Sequence, residues 1–303
     1  MNALTLLNQW RIQPTVLLFL AVLVGLYLKG WPGYQRRPYT KPILDNTIDT
    51  ERVSRPWLFF VSLFILALAL LSPIYYLSTQ FFFMRVTQHL LLISIFPALF
   101  MASNPFPVLF YGLPKGWQYT ISERFDVQRP LHQKIKRLTS KGLMWFVFVG
   151  CVWLWYDETL HQLTIDYGWV RLIEVGSLVT AAMFHWWHIT GASPRIHKKL
   201  PSITHFGYTL LGAAPLKIPG LFLLFSEVAL YDYPSTEFLG VTIAPLLSQQ
   251  IGGAVIWVLG GTVYTTTALR FLSRWFGLES EKPPQPRTTW DNDESMMAPG
   301  IGE

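Results

Sequence analysis

The chain has a single cysteine, Cys151, among 303 residues. One thiol forms no intramolecular disulfide and no Cys-x-x-Cys metal clamp. Cys151 lies among Val, Phe and Trp and reads as a buried, inert thiol. Charged residues are only 14% of the composition, and the stretches between apolar runs are too short to hold a second domain. The chain has no Gly-rich phosphate loop, His-Glu-x-x-His motif or Ser/His/Asp set, and it reads as a protein that is not an enzyme. No internal repeat is evident.

Apolar sequence is abundant. Seven stretches stand out, at residues 14–28, 56–77, 83–103, 142–156, 169–190, 203–230 and 249–272. Most reach or approach the ~20 residues that cross ~30 Å of hydrocarbon. The expectation is an all-α, polytopic membrane helix bundle over residues 1–277, with about seven transmembrane helices. Residues 278–303 are rich in Pro, Asp, Glu and Ser and read as a disordered cytoplasmic tail. The first stretch lacks a good basic n-region and a small-residue cleavage site, so it reads as a retained helix.

Basic residues collect in every second gap. They are Lys29, Arg36, Arg37, Lys41 and Arg52; then Lys115, Arg124, Arg129, Lys134, Lys136, Arg137 and Lys141; then Arg195, Lys198 and Lys199; and finally Arg274, Lys282 and Arg287. The alternate gaps carry Asp157, Glu158, Asp166, Asp232 and Glu237. Short basic loops stay in the cytoplasm, which puts the N-terminus outside and the C-terminus inside. The net charge of +6 is then a topology signal and gives no reason to invoke nucleic acid. The expected location is the plasma membrane or an internal energy-transducing membrane, with lipid as the surroundings. Residues 122–141 have the makings of an amphipathic helix on the inner surface.

Ionisable residues inside spans are costly and need an explanation. Arg85, Gln88 and His89 lie in the third stretch, and Arg171 and Glu174 in the fifth. Tyr156 and Asp157 end the fourth, Glu227 lies near the end of the sixth, and Ser248, Gln249 and Gln250 open the seventh. With the orientation above, five spans place polar groups in the outer third of the membrane. One reading is helix glue. The other is an outward-facing site for a cation or a partner's side chain, with His89 and Glu174 as metal ligands suited to copper.

Glu174, Ser177, Ala181, His185 and His188 follow helical steps and share one face. His185 lies about 16 Å along the helix from Glu174 at 1.5 Å per residue. The inner pair His185 and His188, flanking Trp186 and Trp187, reads as interfacial anchoring, with a metal pair as the other option. Lys217 sits mid-span between Pro215 and Pro219. It is expected to bind carbonyls freed by proline, reach water, or pair with Glu174.

These residues carry a family resemblance. Arg85-Val-Thr-Gln-His-Leu-Leu-Leu92 with Pro97 and Asn104-Pro105, Trp153-Leu-Trp-Tyr156, Glu174 with Phe184-His-Trp-Trp187, and Gln249-Gln-Ile-Gly-Gly253 with Ile256-Trp257 follow in order. The ordered set resembles the cytochrome c oxidase assembly factors of the CtaG type. The resemblance implies a multi-span membrane factor, with an oxidase subunit as client, that helps mature haem–copper oxidases through copper delivery at the outer face. Three positions depart from the pattern: Tyr156 and Val175 stand where histidines are expected, and Ser248 stands for an aspartate. His89 alone is kept among the outer histidines, with Met84 and Cys151 as substitute donors. The alternative is a copper importer using a polar path through Glu174, Ser177, His185, His188 and Lys217.

Overall fold

Proline stands in the first turn of half of the described α-helices, because its fixed φ suits that turn and its missing N–H is not needed there. The computed structural model describes residues 9–10, 12–36, 54–125, 129–194, 196–198 and 200–280. Helix α1 is Pro14–Gln35, α2 Pro56–Leu71 and α3 Pro73–Leu77. Helices α4 (Phe82–Leu90) and α5 (Phe96–Ala102) run through a π-turn at Leu91–Ile95. Then come α6 (Phe106–Gly112), α7 (Lys115–Arg124), α8 (Pro130–Leu138) and α9 (Lys141–Trp155). Helix α10 is Glu158–Asp166, α11 Gly168–Thr190 and α12 Ser202–Leu224. A hairpin of β1 (Thr236–Phe238) and β2 (Val241–Ile243) precedes α13 (Pro245–Val255), a π-turn at Ile256–Gly260 and α14 (Gly261–Ser280).

The protein is mostly helical, as expected. Among the described residues, four helices are long and apolar enough to cross a membrane: Pro14–Gln35, Phe82–Ala102, Ile203–Leu224 and Pro245–Gly277. A fifth results if α8 and α9, bent by 49°, count as one span. The fifth apolar stretch forms α11, which is 23 residues long but carries Arg171 and Glu174. The second stretch is broken by Ser72, whose side chain accepts the Ile74 N–H and caps α3, so α2 has only 16 residues.

Three further boundaries differ from expectation. The sixth stretch ends as helix at Leu224, six residues before 230. The amphipathic segment 122–141 is two helices, α7 and α8. Residues 236–243 pair as antiparallel strands, because Leu239 (φ 51°) and Gly240 (φ 85°) form the left-handed two-residue turn a tight hairpin needs. Of the expected tail, residues 278–280 are helical and 281–303 lie outside the described residues. So do Arg37, Lys41, Arg52, Arg195, Lys199, Lys282 and Arg287.

Two devices hold the bundle. Small residues bring backbones together: a Cβ on Gly253 would lie 2.6 Å from the Gly220 carbonyl oxygen, and one on Gly112 2.0 Å from that of Leu26. Tryptophans repair proline gaps. A proline in a helix frees the carbonyl four residues earlier. Trp186 Nε1 donates to the Ile93 carbonyl (2.9 Å) ahead of Pro97, Trp145 to Leu211 (3.0 Å) ahead of Pro215, and Trp153 to Pro215 (3.0 Å) ahead of Pro219. Where no water reaches, each bare carbonyl would cost ~1–3 kcal/mol. The freed carbonyls expected to hold Lys217 are thus taken by indoles.

Candidate polar centre at the α10 end of the bundle

The amino ends of α4, α11 and α13 meet the carboxyl end of α9 beneath α10 and the hairpin. Arg85 and Glu174 are 1% and 0% exposed, so both are shielded from bulk solvent. Arg85 Nη2 lies 2.5 Å from Glu174 Oε2 and also donates to Thr164 Oγ1 on α10. His89, one turn below Arg85 on α4, brings Nε2 within 3.2 Å of Glu174 Oε1, though not along a hydrogen-bond direction. An ion pair held this tightly offsets the cost of burying its charges only with further hydrogen bonds. Thr164 supplies one and is itself held by the His161 carbonyl (2.7 Å).

A second cation sits beside the first. Arg171 Nη2 donates to the Tyr75 carbonyl (3.1 Å), to Gln88 Oε1 (3.1 Å) and to Ser78 Oγ, while its guanidinium stacks over the Tyr75 ring at 3.9 Å. Gln88 in turn donates to the Ala69 carbonyl (2.8 Å). Aromatic residues roof the centre. His161 Nε2 meets Tyr233 Oη at 2.9 Å, the Tyr231 hydroxyl donates to the Tyr156 carbonyl (2.7 Å), and Tyr231 stacks on Phe82. Burial among these rings, with Arg85 nearby, pulls the His161 pKa down to about 3, so its imidazole is neutral.

The expected residues divide. Arg85, Gln88, His89, Arg171 and Glu174 converge, and the Tyr156 ring packs edge-on to His89 at 5.9 Å. Ser248 accepts the Phe82 N–H (2.9 Å) and so caps α4 from a distant helix. Gln249 takes the Leu230 N–H and donates to the Val228 carbonyl, and Gln250 donates to the Ser226 carbonyl; both fix the loop after α12. Asp157 caps α10 through the Leu160 N–H and is exposed. Glu227 is exposed beyond the end of α12 and takes no part. Met84 packs against Leu77, Phe81 and Ile243, on a different face of α4 from His89. Thr164, His161, Tyr233 and Ser78 join without having been singled out; the only signal was the i, i+3 spacing of His161 and Thr164 on α10.

Two expectations are corrected. Glu174 is paired with Arg85, with His89 beside it, and it makes no ion pair with Lys217. Lys217 lies with Nζ 5.5 Å from the Trp257 ring, its stem filling the space over Gly261. Nor do His185 and His188 anchor at a surface. His185 is fully buried, stacked on Phe148 at 4.5 Å with Nδ1 3.4 Å from Tyr208 Oη, and His188 Nε2 bonds the Thr139 carbonyl (2.8 Å). Trp186 and Trp187 are buried too, each bonding a backbone carbonyl.

The donors do not fit a resident copper. Among the described residues, no three His, Cys, Asp or Glu side chains stand close enough to hold a metal ion. His89 and Glu174 do meet, but the Arg85 guanidinium occupies the place beside the carboxylate where a cation would sit, and Met84 faces elsewhere.

Residues 25–277 match the family model described as cytochrome c oxidase caa3 assembly factor. No curated protein and no solved structure matches the chain.

Proposed function

Because the chain belongs to the cytochrome c oxidase caa3 assembly factor family, we propose that it acts on an oxidase subunit in the membrane as a non-catalytic assembly partner, through the face above Arg85 and Glu174. The observation that supports this reading is the fully buried Glu174–Arg85–Thr164 linkage. It ties α4 and α11 to α10, so α10 and the hairpin are held as a shaped, tyrosine-roofed cap. A rigid cap of this kind suits docking of a client's side chains.

The basic loops argue for a cap that faces outward and a C-terminus in the cytoplasm. With the broken, bent and polar helices counted, the chain would cross seven times, in the plasma membrane. Thr159 and Ser235 are exposed at the cap, and Gln133 is exposed on α8. In a Cys151→Ser background, single cysteines at Thr159 and Ser235 should react with an impermeant reagent in intact cells, and one at Gln133 should not; the reverse pattern overturns the orientation.

Copper insertion is not routed through this centre, whose cation position is filled by Arg85. No observation favours the importer reading, since Lys217 stands apart from Glu174 and the inner histidines are packed against rings and carbonyls. Deleting the gene in the native host should lower assembled oxidase activity while the oxidase transcripts stay intact. Unchanged activity at limiting copper would remove the assembly reading.

A further inference from the structure

At the opposite end of the bundle two clefts adjoin. One is lined by Lys141, His188, His197, Lys198 and His205, with no acidic side chain among the described lining residues. The other is almost wholly apolar, lined by Phe106, Phe110, Ile121 and Phe125. Pro194 and Ile196 line both, so the two clefts lie side by side across these residues. We propose that the pair binds one anionic phospholipid, with the headgroup phosphate in the basic cleft and an acyl chain in the apolar one.

The chemistry of each half fits its part of such a molecule. Lys141 stands at the first position of α9, where the helix N-terminus adds partial positive charge. Its Nζ donates to the Lys198 carbonyl (2.8 Å), which fixes the ammonium at the rim and turns the Lys198 backbone inward. Lys198 itself is exposed, and its charge is offered to solvent. Thr139 bridges the two histidines: its carbonyl meets His188 Nε2 (2.8 Å) and its hydroxyl meets His197 Nε2 (3.0 Å). Thr139 donates its own hydroxyl to the Ile135 carbonyl, so both imidazoles spend their N–H on Thr139, and the donors left for a phosphate's several acceptor oxygens are the two ammonium groups.

The apolar half needs an occupant without polar groups. Its position suits a lipid. Trp117, Tyr119, Leu131 and Leu138 are exposed on α7 and α8, beside Lys134, Lys136 and Arg137. Aromatic and aliphatic side chains interleaved with lysine and arginine mark a helix pair lying at a bilayer surface. A water-soluble phosphate would use the basic cleft and leave the apolar one empty. A zwitterionic lipid would use the apolar cleft and gain little from the lysines. Only an anionic amphiphile uses both. The inference is independent of the assembly role, because it concerns the other end of the molecule.

The test is native mass spectrometry of the purified full chain, delipidated in detergent and offered phosphatidylglycerol, phosphatidylcholine or inorganic phosphate. The proposal expects one phosphatidylglycerol retained, at least tenfold more tightly than phosphatidylcholine, with a rise in melting temperature that phosphate alone does not give. Lys198→Glu, at an exposed position, should remove the preference for the anionic lipid. Ser122→Phe, which fills the apolar cleft, should weaken both lipids. Equal retention of the two lipids by the unaltered chain would overturn the proposal without recourse to any variant. So would a phosphate effect equal to that of phosphatidylglycerol and insensitive to Ser122→Phe.

Discussion

Helix α11 buries polar side chains at both of its ends, and it solves the problem in two different ways. At its amino end Glu174 is met by Arg85 and His89 of a neighbouring helix, and Arg85 is held in turn by Thr164. Three turns on, His185 is stacked flat on Phe148 and touches Tyr208, with no carboxylate near it in the ion-pair geometry of the first site. The two lie on one helix face with about 16 Å between them. Ionic linkage reaches across the bundle and fixes direction; an aromatic stack fills space and tolerates substitution. Position along one face therefore does not decide chemistry. What decides it is whether the facing helix offers a guanidinium or a ring.

The sharpest way to break this contrast is to remove the charge. Glu174→Ala leaves Arg85 buried without its carboxylate, and should destabilise the protein by ~3–5 kcal/mol. Lys217→Met should add independently to it, because Lys217 rests on Trp257 and Gly261 away from the pair. A coupling above ~0.5 kcal/mol between these two in a thermal double-mutant cycle would contradict the geometry.

A second variant probes the proline repairs near the His185 end. Trp186→Phe keeps a ring but strips the indole N–H from the buried Ile93 carbonyl. The bare carbonyl should cost ~1–3 kcal/mol, beyond any cavity effect. Denaturant unfolding of the variant checks the size; a loss below that range would mean the carbonyl finds another donor.

A third effect depends on acid. His161, in the cap, has its pKa lowered to about 3 by burial and by Arg85. A base with a depressed pKa is protonated first in the unfolded chain, so its contribution is full above the unfolded value of ~6.5. Stability is then lost as pH falls from about 6.5 toward 3, by up to ~1.4 kcal/mol per unit. His161→Gln, which can still reach Tyr233, should flatten the profile between pH 6 and 4. An unchanged slope in thermal melts would assign the acid sensitivity elsewhere.

Much of this was legible in the residues. The order of apolar stretches gave the helix order, and the polar layer of Arg85, Gln88, His89, Arg171 and Glu174 does converge. The partner of Glu174 was not legible. Arg85 is 89 residues away, and depth along a helix does not say which face of a neighbour arrives opposite. Lys217 looked like the natural counter-charge because its prolines free carbonyls and its ammonium needs help. Those carbonyls were instead claimed by Trp145 and Trp153, whose role cannot be read from their own helix. His161 and Thr164 were hidden because α10 is a short helix between spans, with no apolar run to mark its inward face. The hairpin was missed because its turn rests on a leucine at positive φ, which residue preference argues against.

The central claim is that the ionic end of α11 serves oxidase assembly and the stacked end serves packing. In a deletion strain of the native host, assembled oxidase activity should be measured per amount of folded protein, with Glu174→Gln and His185→Phe compared against the wild-type chain. The account predicts that Glu174→Gln loses most of the assembled activity, by tenfold or more, while His185→Phe stays within about twofold of wild type. Near-normal assembly with Glu174→Gln, together with failure of His185→Phe, would contradict it.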